Sequence, residues 1–125
     1  MSVVGYKGFD KNLCCRNVKF EVGKTYVEDC DPKTVRKGFH FCLEPFGVLR
    51  HYPMRNGNRY CIVEAIGKLS TDSHLDTKAS TDKLKIIREI SEKELYEIQM
   101  QYRDTIDKKI RSGIDEFQRR NKQVK

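Results

Sequence analysis

Along the last third of the chain, apolar side chains recur at Leu95, Ile98, Tyr102, Ile106, Ile110, Ile114 and Phe117, in steps of three and four with polar residues between them. This spacing predicts one long amphipathic helix from Ser91 to about Val124. Ser91 stands as its N-cap with Glu94 three residues on, the pattern in which each side chain satisfies a free backbone N–H. The steps average about 3.67 residues, closer to an eleven-residue repeat than to a heptad, so a left-handed coiled coil is not indicated. The helix should run roughly 45–50 Å, whereas a globule formed by residues 1–90 is only about 30 Å across, so roughly a third of the stripe should overhang and engage a partner.

Upstream, the apolar period changes to two. Val3 to Phe9 reads as a first strand, and Val18, Phe20 and Val22 alternate along a second that turns at Gly23-Lys24 into Thr25-Tyr26-Val27. Asp29 to Lys37, with Pro32, reads as a loop leading into the strand GFHFC, where Phe39 and Phe41 face one way and His40 and Cys42 the other. Pro45 suits the first turn of a short helix over FGVLRHY that Pro53 ends, and Asn56-Gly57-Asn58 reads as a turn. Tyr60 to Ile66 is apolar except at Glu64, as in a central strand buried on both faces. Ser70 to Asp82 reads as a polar surface loop, and Leu84 to Ile90 as the last strand. The fold expected is α+β: a mixed or antiparallel sheet with one short helix and a long C-terminal amphipathic helix. Residues 1–90 form the β-rich body, and 91–125 the helix that packs on it and projects to a partner.

A chain of 125 residues, 38% of them apolar, suffices for one small domain with a modest core. No apolar run approaches the roughly 18 residues of a membrane span, and the N-terminal residues lack the pattern of a secretion signal, so a cytoplasmic protein without membrane contact is expected. Five cysteines in irregular positions (Cys14, Cys15, Cys30, Cys42 and Cys61) argue against structural disulfides in such a compartment. The net charge of +7 favours nucleic acid or an acidic protein as partner. Much of it lies late in the chain, where Lys108, Lys109, Arg111, Arg119, Arg120, Lys122 and Lys125 outnumber Asp115 and Glu116. The same residues also suit the negative end of a helix dipole and make i,i+4 pairs such as Asp104/Lys108 and Asp107/Arg111.

Candidate chemistry is sparse. His40-x-Cys42 offers two metal ligands, but no Cys-x-x-Cys pair accompanies it, so no metal site is expected and Cys42 and Cys61 read as small core residues. Glu64 shares a face with Ile62 and Ile66, and a buried carboxylate needs a partner, for which Lys7 and Arg88 on neighbouring strands are the candidates. Tyr6, Phe39 and His40 are equally readable as residues satisfied within the sheet, and Lys7 as a solvated strand end.

The blocks YKGF, EVGKTY, GFHFC with its following proline, and the A-x-G strand together resemble an uncharacterised family of small proteins of phages and prophage-bearing bacteria, over roughly residues 4–95. Their order also resembles the ADP-ribosyltransferase fold, in particular its rifampin-modifying branch, in which three such strands surround NAD. That resemblance implies an NAD site in which Tyr6 and Gly8 match the first motif and Lys7 replaces its histidine. His40 or a neighbour would stand for the stacking tyrosine, Glu64 and Gly67 match the third block, and Asp72 lies near its acidic position. A flexible ammonium does not reproduce an oriented imidazole, which favours a scaffold with altered chemistry or none, and hence no cofactor.

The expectation that follows is a phage or mobile-element accessory protein that binds a host protein or ribonucleoprotein complex, for example as an anti-CRISPR-like inhibitor of nucleic-acid-guided defence. Ile106, Ile110, Ile114 and Phe117 would supply its apolar contact, and Lys108, Lys109, Arg111, Arg119, Arg120 and Lys122 its charge. The alternatives are an NAD-dependent ADP-ribosyltransferase-like enzyme using Tyr6, Lys7, His40, Glu64 and Asp72, and a protein that self-associates through the helix.

Overall fold

The computed structural model describes residues 2–32, 37–71 and 78–123, with helix side chains described as far as Ile114. Among the described residues, nine strands are followed by one α-helix: β1 (Val3–Phe9), β2 (Cys14–Cys15), β3 (Val18–Lys19), β4 (Thr25–Val27), β5 (Phe39–Cys42), β6 (Arg59–Ala65), β7 (Leu69–Thr71), β8 (Lys78–Thr81), β9 (Lys83–Ile90) and α1 (Glu92–Gln123), with a 3-10 helix at Pro45–Arg50. Seven strands form one sheet in the order β4-β9-β6-β1-β5-β8-β7, and β2 and β3 make a separate small hairpin. Every pairing is antiparallel.

Alternation along the strands divides the core in two. Phe9, Phe41, Cys61, Val63, Ala65, Leu84 and Ile86 face one side, where Leu13 and Phe20 from the hairpin segment cover them. Cys42, Tyr60 and Ile90 face the other, under Val48 of the 3-10 helix and Leu95 of α1. The polar segment before β9 is not a plain surface loop. Leu69–Thr71 and Lys78–Thr81 are strands, and Ala79, Ser80 and Thr81 are buried because β8 is paired on both sides, by β5 and by β7. The expected second strand over Val18 to Val22 is likewise shortened to β3. Its partner β2 folds back through Arg16 and Asn17, both at positive φ (51° and 67°).

Glu64 is not the buried carboxylate expected. It is half-buried, with Val4 and Lys85 as its register neighbours, whereas Lys7 lies opposite Cys61 and Arg88 opposite Ile62. The 3-10 helix and α1 cover the Tyr60 end of that face and leave the Glu64 end more open. Arg88 pairs instead with Glu94 at 2.8 Å, so the capping box is half made: Ser91 Oγ accepts the Glu94 N–H at 3.1 Å, but the Glu94 carboxylate turns to the arginine.

Among the described residues, those of the first turns fasten the helix. Leu95 is fully buried, and Gln99 bridges to the 3-10 helix, accepting the Phe46 N–H at 3.0 Å and donating to Glu44 at 3.2 Å. Beyond the half-buried Tyr102, every residue from Arg103 to Ile114 is exposed, so the overhang is longer than the expected third.

Candidate functional site

β1 pairs with β6 along its whole length, from Val3↔Ala65 to Phe9↔Arg59, but with β5 only at Tyr6↔Cys42. The two strands can approach there because Gly5 has no side chain: a Cβ on it would lie 2.4 Å from the Phe41 ring and 2.7 Å from the Cys42 carbonyl. Past that point they part, and a cavity of about 290 Å³ opens between them. Its wall draws on both faces of the sheet. Tyr6, Gly8, Val48, His51 and Tyr52 come from one side, and Lys7, Cys15 and Arg16 from the other, with His40, Cys42 and Lys78 along β5 and β8.

Lys7 stands in the gap. Only 5% exposed, it is no solvated strand end, because alternation puts it beside Phe9 beneath the hairpin. Its ammonium donates to the His40 carbonyl at 2.5 Å and lies 5.7 and 5.6 Å from the ring centres of Phe9 and Phe20, a cation–π arrangement. Burial holds its pKa below the ordinary lysine value, partly offset by a hydrogen bond to Cys15. The Tyr52 hydroxyl donates to the same sulfur at 3.2 Å, and burial followed by that bond pushes the phenol's pKa up. Burial, and then the charge of Tyr102, raises that of Tyr6.

Local sequence explains these placements. Asp10 Oδ1 accepts the N–H groups of Asn12 at 2.8 Å and Cys14 at 2.9 Å, an Asx-type turn that starts the hairpin and carries Cys15 over Lys7. After the 3-10 helix, the Tyr52 N–H bonds the Val48 carbonyl at 3.0 Å, and Pro53 stops further winding. The Tyr52 side chain then packs on β1 at Gly8, where a Cβ would come within 2.7 to 2.9 Å of its Cδ2, Cβ and Cγ atoms. A second cavity, of about 460 Å³, shares Lys7, Cys15, Arg16 and His40 with the first and adds the aromatic residues Phe20, Tyr26 and Phe39.

Of the expected catalytic set, Tyr6, Lys7 and His40 therefore come together, and Glu64 lies off both cavities. Asp72 lies outside the described residues. The cavity at Tyr6 is near the lower end of the range for small-molecule sites, about 300–1,000 Å³, and none of the described residues lining it is a carboxylate. Among the described residues no group of His, Cys, Asp and Glu is placed to hold a metal ion, and no helix is long and apolar enough to cross a membrane. Sequence reasoning missed Cys15, Arg16, His51, Tyr52 and Lys78, which converge only through the sheet; the adjacent Cys14-Cys15 pair was the sole local signal.

On α1, Ile106, Ile110 and Ile114 are 39%, 55% and 51% exposed along one line, flanked by exposed Lys108, Lys109 and Arg111. The side chains of Phe117, Arg119, Arg120 and Lys122 lie outside the described residues.

Residues 3–98 match the family model described as a domain of unknown function, DUF7666, so the chain belongs to that family. The match runs from β1 into the first turns of α1, ending at Ile98, and includes every residue lining the two cavities. No curated protein and no solved structure shows significant similarity to it.

Proposed function

We propose that this member of the DUF7666 family is a binding protein that engages a partner protein through the free part of α1. One observation carries this reading: Ile106, Ile110 and Ile114 form an exposed apolar line on a helix that has already left its own body. An isolated exposed isoleucine is ordinary, whereas three in register on a projecting helix match the way an amphipathic helix enters an apolar groove. Lys108, Lys109 and Arg111 flank that line, which favours a groove with an acidic rim. The resemblance of the YKGF and GFHFC blocks to small phage and prophage proteins favours an accessory factor of a mobile element, acting stoichiometrically on a host complex such as a nucleic-acid-guided defence system.

The test places photo-crosslinking residues at positions 110 and 114 of the full chain, expressed in the natural host, beside the double variant Ile110→Asp/Ile114→Asp. A stoichiometric adduct to an acidic protein, lost in the double variant and weakened by salt, supports the reading. An adduct to a second copy, with a dimer mass in light scattering, would replace the partner by self-association. Crosslinks to nucleic acid, or complexes that survive the double variant, would overturn it.

A further inference from the structure

The least ordinary group in the fold is the ammonium of Lys7. It is 5% exposed, and the groups gathered around it are the His40 carbonyl, the Cys15 sulfur and the faces of Phe9 and Phe20. No carboxylate of the described residues is among them. A buried cation is normally paired, because the field it loses from water must be replaced by an opposite charge. Lys7 instead lines both cavities.

The surroundings extend the same sign of charge. Half-buried Lys78 and exposed Arg16 line the cavity of about 290 Å³ with Lys7, which sets three cations at increasing depth from the surface. His40 and His51 add ring nitrogens, and none of the described residues lining this cavity is acidic. The adjoining cavity of about 460 Å³, which Lys7 also lines, adds the rings of Phe20, Tyr26 and Phe39, with one acidic residue, the exposed Glu28, on its wall.

We propose that the cleft between β1, β5 and the β2–β3 hairpin binds a small phosphomonoester whose remaining part is aromatic or apolar. The phosphate lies against Lys7 with Lys78 and Arg16 closing over it, and the body of the ligand lies along Phe20, Tyr26 and Phe39. A phosphate fits better than a carboxylate because it carries about −1.5 to −2 charge at pH 7 and three acceptor oxygens, against three cationic side chains. It also supplies the counter-charge that the interior withholds from Lys7, and so favours the protonated form that burial opposes. This site is independent of the helix surface assigned above.

Cys15 lines both cavities and reports their occupancy. In Cys14→Ser protein, its alkylation by iodoacetamide is followed by mass spectrometry with phenyl phosphate, inorganic phosphate or benzoate as probe. Phenyl phosphate should slow alkylation about tenfold at ten times its dissociation constant, since only the unliganded fraction reacts. Inorganic phosphate should need higher concentrations, and benzoate higher still. Because Lys7→Met also removes packing inside the sheet, the variants Arg16→Gln and Lys78→Gln carry the test. Each should raise the half-protecting phenyl phosphate concentration several-fold, whereas Ile110→Asp/Ile114→Asp should leave it unchanged. An alkylation rate indifferent to phenyl phosphate, equal protection by benzoate, or protection that persists in Arg16→Gln/Lys78→Gln would each overturn the proposal.

Discussion

The hydroxyl of Tyr52 donates to the sulfur of Cys15 at 3.2 Å and thereby joins two elements that lie on opposite faces of one sheet. Tyr52 follows the 3-10 helix on the α1 side, and Cys15 belongs to the hairpin on the other, so the bond passes through the gap where β1 and β5 part. A hydrogen bond of this kind contributes about 0.5–1.5 kcal/mol net. Tyr52→Phe should cost that much in urea unfolding. In a double-mutant cycle with Cys15→Ala most of the cost should appear as coupling; strictly additive costs would mean that the bond does not form in solution.

Leu95 and Ile110 occupy the same helix stripe, yet only the first is buried. Leu95→Ala should destabilise the fold by about 2–5 kcal/mol, through lost burial and the cavity left behind. Ile110→Ala should stay within about 0.5 kcal/mol of the parent. Thermal melts of the two variants at a concentration where the protein is monomeric compare them directly, and equal losses would place Ile110 against the body.

Gln99 is 4% exposed and holds α1 to the 3-10 helix with both ends of its amide. Gln99→Leu keeps the volume but leaves the Phe46 N–H without its acceptor, which should cost about 1–3 kcal/mol. Hydrogen exchange at Phe46 should accelerate in that variant, while the β6 amides, in the sheet centre, change only as far as global stability falls. Unchanged exchange at Phe46 would show that water replaces the amide without loss.

Lys7 sets a pH dependence whose sign is fixed. Its folded pKa lies below the unfolded value of about 10.4, so between the two the unfolded chain binds more protons and stability rises with pH. The contribution reaches its full size above about 10.4 and is lost as pH falls through the folded value. Tyr6, Tyr52 and Tyr60 act oppositely, since their raised folded values make ionisation above about pH 10 destabilising. The difference between parent and Lys7→Met isolates the lysine. It should move in the parent's favour as pH rises toward 10, and a flat difference would mean that Lys7 keeps its ordinary pKa.

The elements with a strong period were readable before folding: β1, GFHFC, the apolar run of β6, β9 and the helix with Ser91 at its start all stand where alternation or the 3.6-residue period puts them. Misreadings arose where neighbours decide. Ala79, Ser80 and Thr81 have loop composition and become strand because β5 and β7 flank them. Alternation put Glu64 on the correct face, but nothing in the chain's period says how far the covering helix reaches along that face. Lys7 shares Phe9's parity, and its burial was legible to that extent; the reason that burial is tolerated lies in Cys15, Phe20 and His40, distant in sequence.

Tyr52 can seat against β1 because Gly8 lacks a side chain. A methyl group there would strike the Tyr52 side chain, so one substitution should lift the tyrosine and break its bond to Cys15, removing one wall of the cavity beside Lys7. A single position thus decides which side chain can wall the site on that side. Family members with glycine at this place should keep a tyrosine seated over the strand, and those with a bulkier residue should carry a smaller wall side chain there, a division that crystal structures of one member of each kind would reveal or refute.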